Sequence, residues 1–170
     1  MVEAAAFVIF PLCLAIAAFS DLLTMTIPNR ASLILAASFL LLAPVLGLSL
    51  SAIGMHLLGA AIVFSICFAL FAANVMGGGD AKLLSAAALW FGFGQPLLVF
   101  VVNVGFIGGL ITLLILALRG SSNTILATGL PVPNSLLLAK KIPYGLAIAI
   151  GGFLAYPSSP LLLAALERLH

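Results

Sequence analysis

Residues 97–118 read LLVFVVNVGFIGGLITLLILAL, a stretch without a single charged side chain. The hydrocarbon core of a bilayer takes about 20 helical residues per crossing, so this stretch is long enough and apolar enough to cross a membrane. The rest of the chain has the same character, with 65% hydrophobic residues, 6% charged residues and a mean hydropathy of +1.40. Soluble domains carry roughly a quarter charged residues. The sequence therefore predicts an integral membrane protein.

Hydropathy divides the chain into six predicted membrane spans. Turn-forming residues separate them, notably Pro28 and Asn29, the glycines at 77–79 and the Gly-Gln-Pro sequence at 94–96. We expect an all-α fold, a polytopic bundle of six transmembrane helices, in which residues 1–170 make one integral membrane domain. The predicted spans are 4–21, 31–49, 53–74, 80–95, 97–118 and 142–157.

The basic residues predict the orientation of this bundle. With six alternating spans, five of the six Lys and Arg residues lie on one side of the membrane and only Arg168 lies on the other. The positive-inside rule makes the basic side cytoplasmic and places both termini outside. The five residues on the cytoplasmic side are Arg30, Lys82, Arg119, Lys140 and Lys141.

Several classes of site and partner are not expected. Cys13 and Cys67 stand alone in apolar stretches, which favours neither a zinc site nor a disulfide. His56 begins the third span, on the side opposite Asp80, so we expect no catalytic metal and no cofactor. No basic run suits nucleic acid, and the surroundings of the chain are predicted to be the lipid bilayer. Gly105 and Gly109 form a GxxxG pair, which predicts close helix packing.

Asp21 and Asp80 are the acidic residues that deserve explanation. The predicted topology places both at the cytoplasmic edge, whereas Glu3 and Glu167 lie near the termini. A charged side chain costs about 2.5–3.5 kcal/mol at the centre of a membrane helix and less near the interface. Asp80 alone would suit a helix N-cap, and Asp21 alone an ordinary interfacial residue. Together on one side of the bundle, they indicate a functional site.

Paired carboxyl groups suit peptide hydrolysis. Two carboxyls a few ångströms apart share one proton, because both cannot ionise cheaply. The ionised member takes a proton from the attacking water, and the protonated member donates to the scissile carbonyl oxygen. The glycines at 77–79 permit unusual backbone angles and the close approach of an extended substrate. The sequence thus predicts an aspartic endopeptidase in which either aspartate, Asp21 or Asp80, is the ionised one at rest.

Two other classes of function fit the same residues. A small ion- or proton-coupled transporter would use Asp21 and Asp80 to bind or relay cations, and it would show flux without peptide cleavage. A non-catalytic assembly subunit would tolerate alanine at both positions. Lys82 also has two interpretations: it sets the membrane topology, or it orients polar substrate groups near the cleaved bond.

Three motifs resemble those of the type IV prepilin peptidases and occur in the same order. The sequence GGGDAKL at 77–83 is similar to the GxGD motif and the lysine that usually follows it. Asp21, followed by IPN at 27–29, resembles the first catalytic aspartate and its downstream proline-asparagine step. The sequence IPYG at 142–145 resembles the aromatic-glycine step that opens the last helix, although Leu146 replaces a proline often found there.

This resemblance implies a peptidase of the bacterial inner membrane with its active site on the cytoplasmic side. The expected substrate is a prepilin or pseudopilin, cut between its short basic leader and its hydrophobic helix, with Asp21 and Asp80 as the catalytic pair. The chain is most similar to the short peptidases of tight-adherence (Flp) pilus systems, so N-methyltransferase activity is not expected. Neither one particular substrate nor an oligomeric state is implied. The expected substrate-binding or motif-supporting residues are Gly77, Gly78, Gly79, Lys82, Pro28 and Asn29.

Overall fold

The computed structural model describes residues 2–120 and 142–169, and in these ranges the chain is helical without any strand. The predicted all-α class is therefore confirmed. The predicted location of the long connection 119–141 falls almost wholly outside the described residues. The helices are α1 (Val2–Thr24), α2 (Asn29–Val45), α3 (Leu50–Ala72), α4 (Gly78–Ala88), α5 (Gln95–Gly120), α6 (Tyr144–Ala155) and α7 (Pro160–Glu167), with a 3-10 turn (Tyr156–Ser158) between the last two.

Three helices, α1, α3 and α5, are long and apolar enough to cross a membrane. The segments 144–158 and 160–167, bent by 44° at their junction, together make a fourth candidate span. The helices α2, with 17 residues, and α4, with 11, are shorter than the roughly 20 residues of one crossing. By length and composition, the described part of the chain thus shows three or four candidate spans, and the six that hydropathy predicts are not shown.

The predicted span 80–95 is wrong in its helix length, because α4 ends at Ala88. Gly92 and Gly94 have φ values of +67° and +156°, which do not occur in a right-handed helix. Helix α4 is therefore only about 16 Å long. The turn that follows it lies against α3, where the Phe93 N–H donates to the Met55 carbonyl oxygen at 3.0 Å. Residues 80–94 are therefore a short helix followed by a turn, and α5 begins at Gln95.

The short helix α4 is the buried centre of the bundle. It packs against α2, α3 and α6, and most of its residues from Ala81 onward are buried. Several of these are alanines, and such small side chains let neighbouring helices approach closely in a membrane protein. Three neighbours thereby fix the position of the N-terminus of α4, where Asp80 lies.

Glycines on α6 and α5 allow the closest helix contacts. A Cβ atom at Gly151 would lie 2.8 Å from the Val104 backbone nitrogen of α5, and one at Gly152 would lie 2.5 Å from Leu14 of α1. A Cβ atom at Gly108 of α5 would likewise lie 3.1 Å from the Tyr144 ring. Helix α6 is therefore held tightly between α1 and α5.

The predicted packing role of the GxxxG pair is wrong within the described chain. A Cβ atom at Gly105 or Gly109 would meet no atom of the described residues within 4 Å. These two glycines lie on exposed parts of α5, whereas Gly108 lies on the buried side that faces α6. The spacing alone does not tell which side of a helix is covered.

Aromatic residues and His56 fix the end of the bundle opposite Asp80. Phe10 stacks on Tyr156 at 4.5 Å and contacts Trp90 at 5.1 Å between ring centroids. The Trp90 indole N–H donates to the Leu35 carbonyl oxygen at 3.1 Å. His56 Nδ1 lies 2.6 Å from the Leu89 carbonyl oxygen, so this histidine joins α3 to the turn after α4.

Candidate active site

Asp21 lies in the last turns of α1 with only 6% of its surface exposed. The helix ends just beyond it, where Met25 adopts a left-handed conformation with a φ of 53°. The Gly145 N–H, in the first turn of α6, donates to Asp21 Oδ2 at 2.7 Å. The positive end of a helix dipole favours a negative charge. The start of α6 is thus a favourable place for this carboxylate.

This contact requires a glycine at position 145, because a side chain there would collide with Asp21. A Cβ atom there would lie 2.9 Å from both the Cβ and the Oδ2 atoms of Asp21, which is closer than real Cβ contacts occur. Sequence reasoning did not count Gly145 among the site residues. The sequence does point to this residue, since Gly145 belongs to the IPYG sequence that resembles a family motif.

Asp80 lies in the first turn of α4, directly after the three glycines. The N-cap residue of this helix is Gly77, so the interpretation of Asp80 as the N-cap is wrong. A Cβ atom at Gly77 would lie 2.6 Å from Asp80 Oδ2. The carboxylate therefore bends back toward the start of the helix, and a side chain at position 77 would displace it.

The glycines at 77–79 permit unusual backbone angles but do not adopt them in this structure. Gly77 has an extended conformation, with φ −72° and ψ 143°, and the other two belong to α4. Their role in this structure is close packing. A Cβ atom at Gly78 would lie 3.2 Å from the Phe71 ring, and one at Gly79 would lie 3.2 Å from Ile27 Cβ.

Ile27 brings the surroundings of the two aspartates together. Its Cδ1 atom would lie 3.0 Å from a Cβ atom at Gly145, the residue that binds Asp21. Its Cβ atom faces Gly79, the neighbour of Asp80. One side chain thus contacts the immediate surroundings of both carboxylates, and we call this part of the bundle the aspartate end.

The remaining predicted residues connect α2 to α4 at the aspartate end. Pro28 is the N-cap of α2, and its extended backbone starts that helix. The Lys82 ammonium group donates to the Asn29 side-chain oxygen at 3.1 Å. Lys82 therefore has a structural partner that neither interpretation of this residue included. Within residues 2–120 and 142–169, no three His, Cys, Asp or Glu side chains are grouped as metal ligands would be.

The described chain is an apolar helical bundle, and the two helix ends that carry Asp21 and Asp80 both lie close to Ile27. This is the architecture of an integral membrane protein with an acidic site. Comparison with known families identifies the class. The chain matches the type IV leader peptidase family over residues 8–113, more than half of its length, and it belongs to this family. The family indicates a prepilin peptidase, an aspartic-type protease.

The matched segment covers most of the candidate site. It contains Asp21, residues 27–29 and residues 77–83, and it ends before Gly145. No curated protein and no solved structure matches the chain significantly.

Proposed function

We propose that the protein is an intramembrane aspartyl endopeptidase that removes the short basic leader from type IV prepilin-like precursors, with Asp21 and Asp80 as its catalytic pair. The observation that carries this proposal is the contact of Ile27 with both Gly145 and Gly79, since it puts the surroundings of the two aspartates at one place. Family membership supplies the class of reaction.

The proposed chemistry needs only the two carboxyl groups and water. One carboxylate removes a proton from water as the water oxygen attacks the carbonyl carbon of the scissile peptide bond. The other, protonated carboxyl donates to the carbonyl oxygen, and the proton taken from water then goes to the leaving amine as the C–N bond breaks. The hydrogen bond from Gly145 orients Asp21 for its part in this reaction.

The location of cleavage is part of the proposal. Arg30 and Lys82 lie beside the aspartate end, since Lys82 binds the neighbour of Arg30. Basic residues favour the cytoplasmic side of a membrane. We place the aspartate end at the cytoplasmic face of the bacterial inner membrane, with six crossings of which α2 and the short α4 with its turn make two. An Flp-type prepilin is the substrate that the sequence resemblance favours.

Replacing each aspartate tests the proposed function. Asp21→Asn or Asp80→Asn, co-expressed with a prepilin, should leave the precursor uncleaved on an immunoblot while the enzyme still accumulates in membranes. Each change keeps the size of the side chain and removes a group that the reaction needs. Glu167→Gln, the same carboxylate-to-amide change at an exposed position of α7, is the control and should process normally.

Normal leader removal by either aspartate variant would refute the catalytic pair. If no cleavage occurred even with the unchanged enzyme, and proteoliposomes instead showed ion flux that depended on Asp21 or Asp80, the protein would be a transporter.

A further inference from the structure

A groove between α3 and α5 opens toward the lipid at the side of the bundle. It has a volume of about 630 Å³. Helix α3 packs chiefly on α4, and α5 packs chiefly on α6, so the two walls stand apart over a floor made by these inner helices. Leu84 of α4 and Ile148 of α6 contribute to that floor. We call this feature the α3–α5 groove.

The walls of the α3–α5 groove are apolar and partly exposed. On α3 they include Ile66 and Leu70, which are 58% and 38% exposed. On α5 they include Leu98 and Val101, which are 64% and 40% exposed. No charged side chain of the described residues lines the groove. From residue 62 to residue 70, the α3 wall extends about 12 Å, or roughly two helical turns.

The groove adjoins the surroundings of both aspartates. Met76 and Tyr144 line it. Met76 precedes Gly77, against which the Asp80 carboxylate lies, and Tyr144 precedes Gly145, whose N–H donates to Asp21. A helix that lies in the groove would therefore have one end next to the candidate catalytic groups.

We propose that the α3–α5 groove binds the hydrophobic helix of the substrate, with the end nearest the cleaved bond against Met76 and Tyr144. This inference rests on the proposed function, which supplies a substrate whose apolar helix follows the cleavage site. Its occupant must be apolar along its length, because the walls offer no charge, and it must reach the aspartate end, because the groove does.

A second groove, between α2 and α3, fits this occupant less well. It has a similar volume, about 630 Å³, but Arg30 and Lys82 line it. Ser32 also lines it, and its buried hydroxyl has no hydrogen-bond partner among the described residues. An apolar helix would cover the charged groups of Arg30 and Lys82 without offering them a polar contact, which is unfavourable. The α3–α5 groove has no such cost.

Gly105 gives the inference a sharp test. It lines the groove, and a Cβ atom there would meet no atom of the described chain within 4 Å. Gly109, one turn along the same helix, has the same freedom but does not line the groove. Leucine is a good helix former, so Gly105→Leu and Gly109→Leu should both fold.

We expect Gly105→Leu to slow leader removal by about tenfold or more, since displacing reacting groups by about 1 Å costs up to about 100-fold. Gly109→Leu should stay within about twofold of the unchanged enzyme, because surface changes usually have small effects. Both rates are measured by immunoblot of a co-expressed prepilin, at matched enzyme levels in the membrane. Equal processing by the two variants would overturn the groove assignment.

Cross-linking tests the proposed contact between the groove and the substrate helix without filling the groove. Leu98 lies on the groove wall, whereas Val102, which is similarly exposed on α5, does not line the groove. Each is replaced by cysteine. In an Asp80→Asn background that retains uncleaved precursor, Leu98→Cys should form a disulfide with a cysteine placed in the apolar helix of the prepilin. Val102→Cys should not. Native Cys67 also lines the groove, so both variants are made with Cys67→Ala in the background, whereas Cys13 is buried and does not line the groove.

The outcomes separate this inference from the proposed function. If Leu98→Cys formed only enzyme dimers, the groove would be a contact between two copies. If it formed no cross-link, lipid would be the remaining occupant. Either result overturns the inference. If Asp21→Asn and Asp80→Asn block cleavage while Gly105→Leu does not, the groove assignment fails and the peptidase proposal stands.

Discussion

Gly145 shows how one residue makes the surroundings of Asp21 possible. Its N–H reaches the carboxylate at 2.7 Å across 124 positions of sequence, and no larger residue leaves room for that approach. A hydrogen bond to a charged group contributes about 1.5–3 kcal/mol. The orientation of Asp21 therefore depends on a residue whose role is visible only in three dimensions.

We predict that Gly145→Ala lowers leader removal by about tenfold or more, because a loss of about 1.4 kcal/mol corresponds to a factor of ten. The added methyl group would push α6 away from Asp21 and weaken the hydrogen bond. The measurement is the rate of prepilin cleavage by purified enzyme in detergent. Gly54→Ala is the matched control, since a Cβ atom there meets no atom of the described chain within 4 Å. Unchanged cleavage by Gly145→Ala would show that this hydrogen bond is dispensable.

Sequence alone makes the two aspartates the candidates for the site, for a simple reason. Charged residues are so scarce in this chain that each one near a membrane edge needs an explanation, and the glycines beside Asp80 mark it further. The contacts of Ile27 and the bond between Lys82 and Asn29 were not predictable. Each depends on how separate helices pack, which hydropathy does not describe.

At the level of the helices, α6 depends on small residues where it crosses α5. A Cβ atom at Gly151 would lie 2.8 Å from the Val104 backbone nitrogen, and backbone cannot move aside as a flexible side chain can. We predict that Gly151→Ala destabilises the protein by about 1–3 kcal/mol, the usual cost of overpacking. Thermal unfolding in detergent should show a lower midpoint, with Gly54→Ala unchanged or higher. An unchanged midpoint for Gly151→Ala would mean that α5 and α6 separate at little cost.

The all-helical class followed from hydropathy, but the number of helices and the length of α4 did not. Residues 80–95 are apolar throughout most of their length, so they have the composition of a span. Composition does not reveal that Gly92 and Gly94 take positive φ values, or that His56 holds the turn after α4. A helix buried inside the bundle does not need to be as long as the bilayer is thick. Its hydropathy is the same as that of a helix that spans the membrane.

Across the whole molecule, the orientation in the membrane is open to a direct test. Thr26 and Val75 are exposed at the aspartate end, and Leu50 is exposed at the other end of α3. We predict that Thr26→Cys and Val75→Cys react with a membrane-impermeant maleimide only after cells are permeabilised, because the basic residues favour a cytoplasmic aspartate end. Leu50→Cys should react in intact spheroplasts. Labelling of Thr26→Cys and Val75→Cys from opposite faces would separate the aspartates and contradict the proposed catalytic pair.

The burial of α4 has a consequence for how the protein behaves in different membranes. Long lipid-facing helices tilt when the thickness of the bilayer changes. Helix α4 is surrounded by α2, α3 and α6 instead, so Asp80 takes its depth from protein neighbours. Variation in acyl-chain length would then act on the outer helices first, and the depth of Asp80 would be buffered against it.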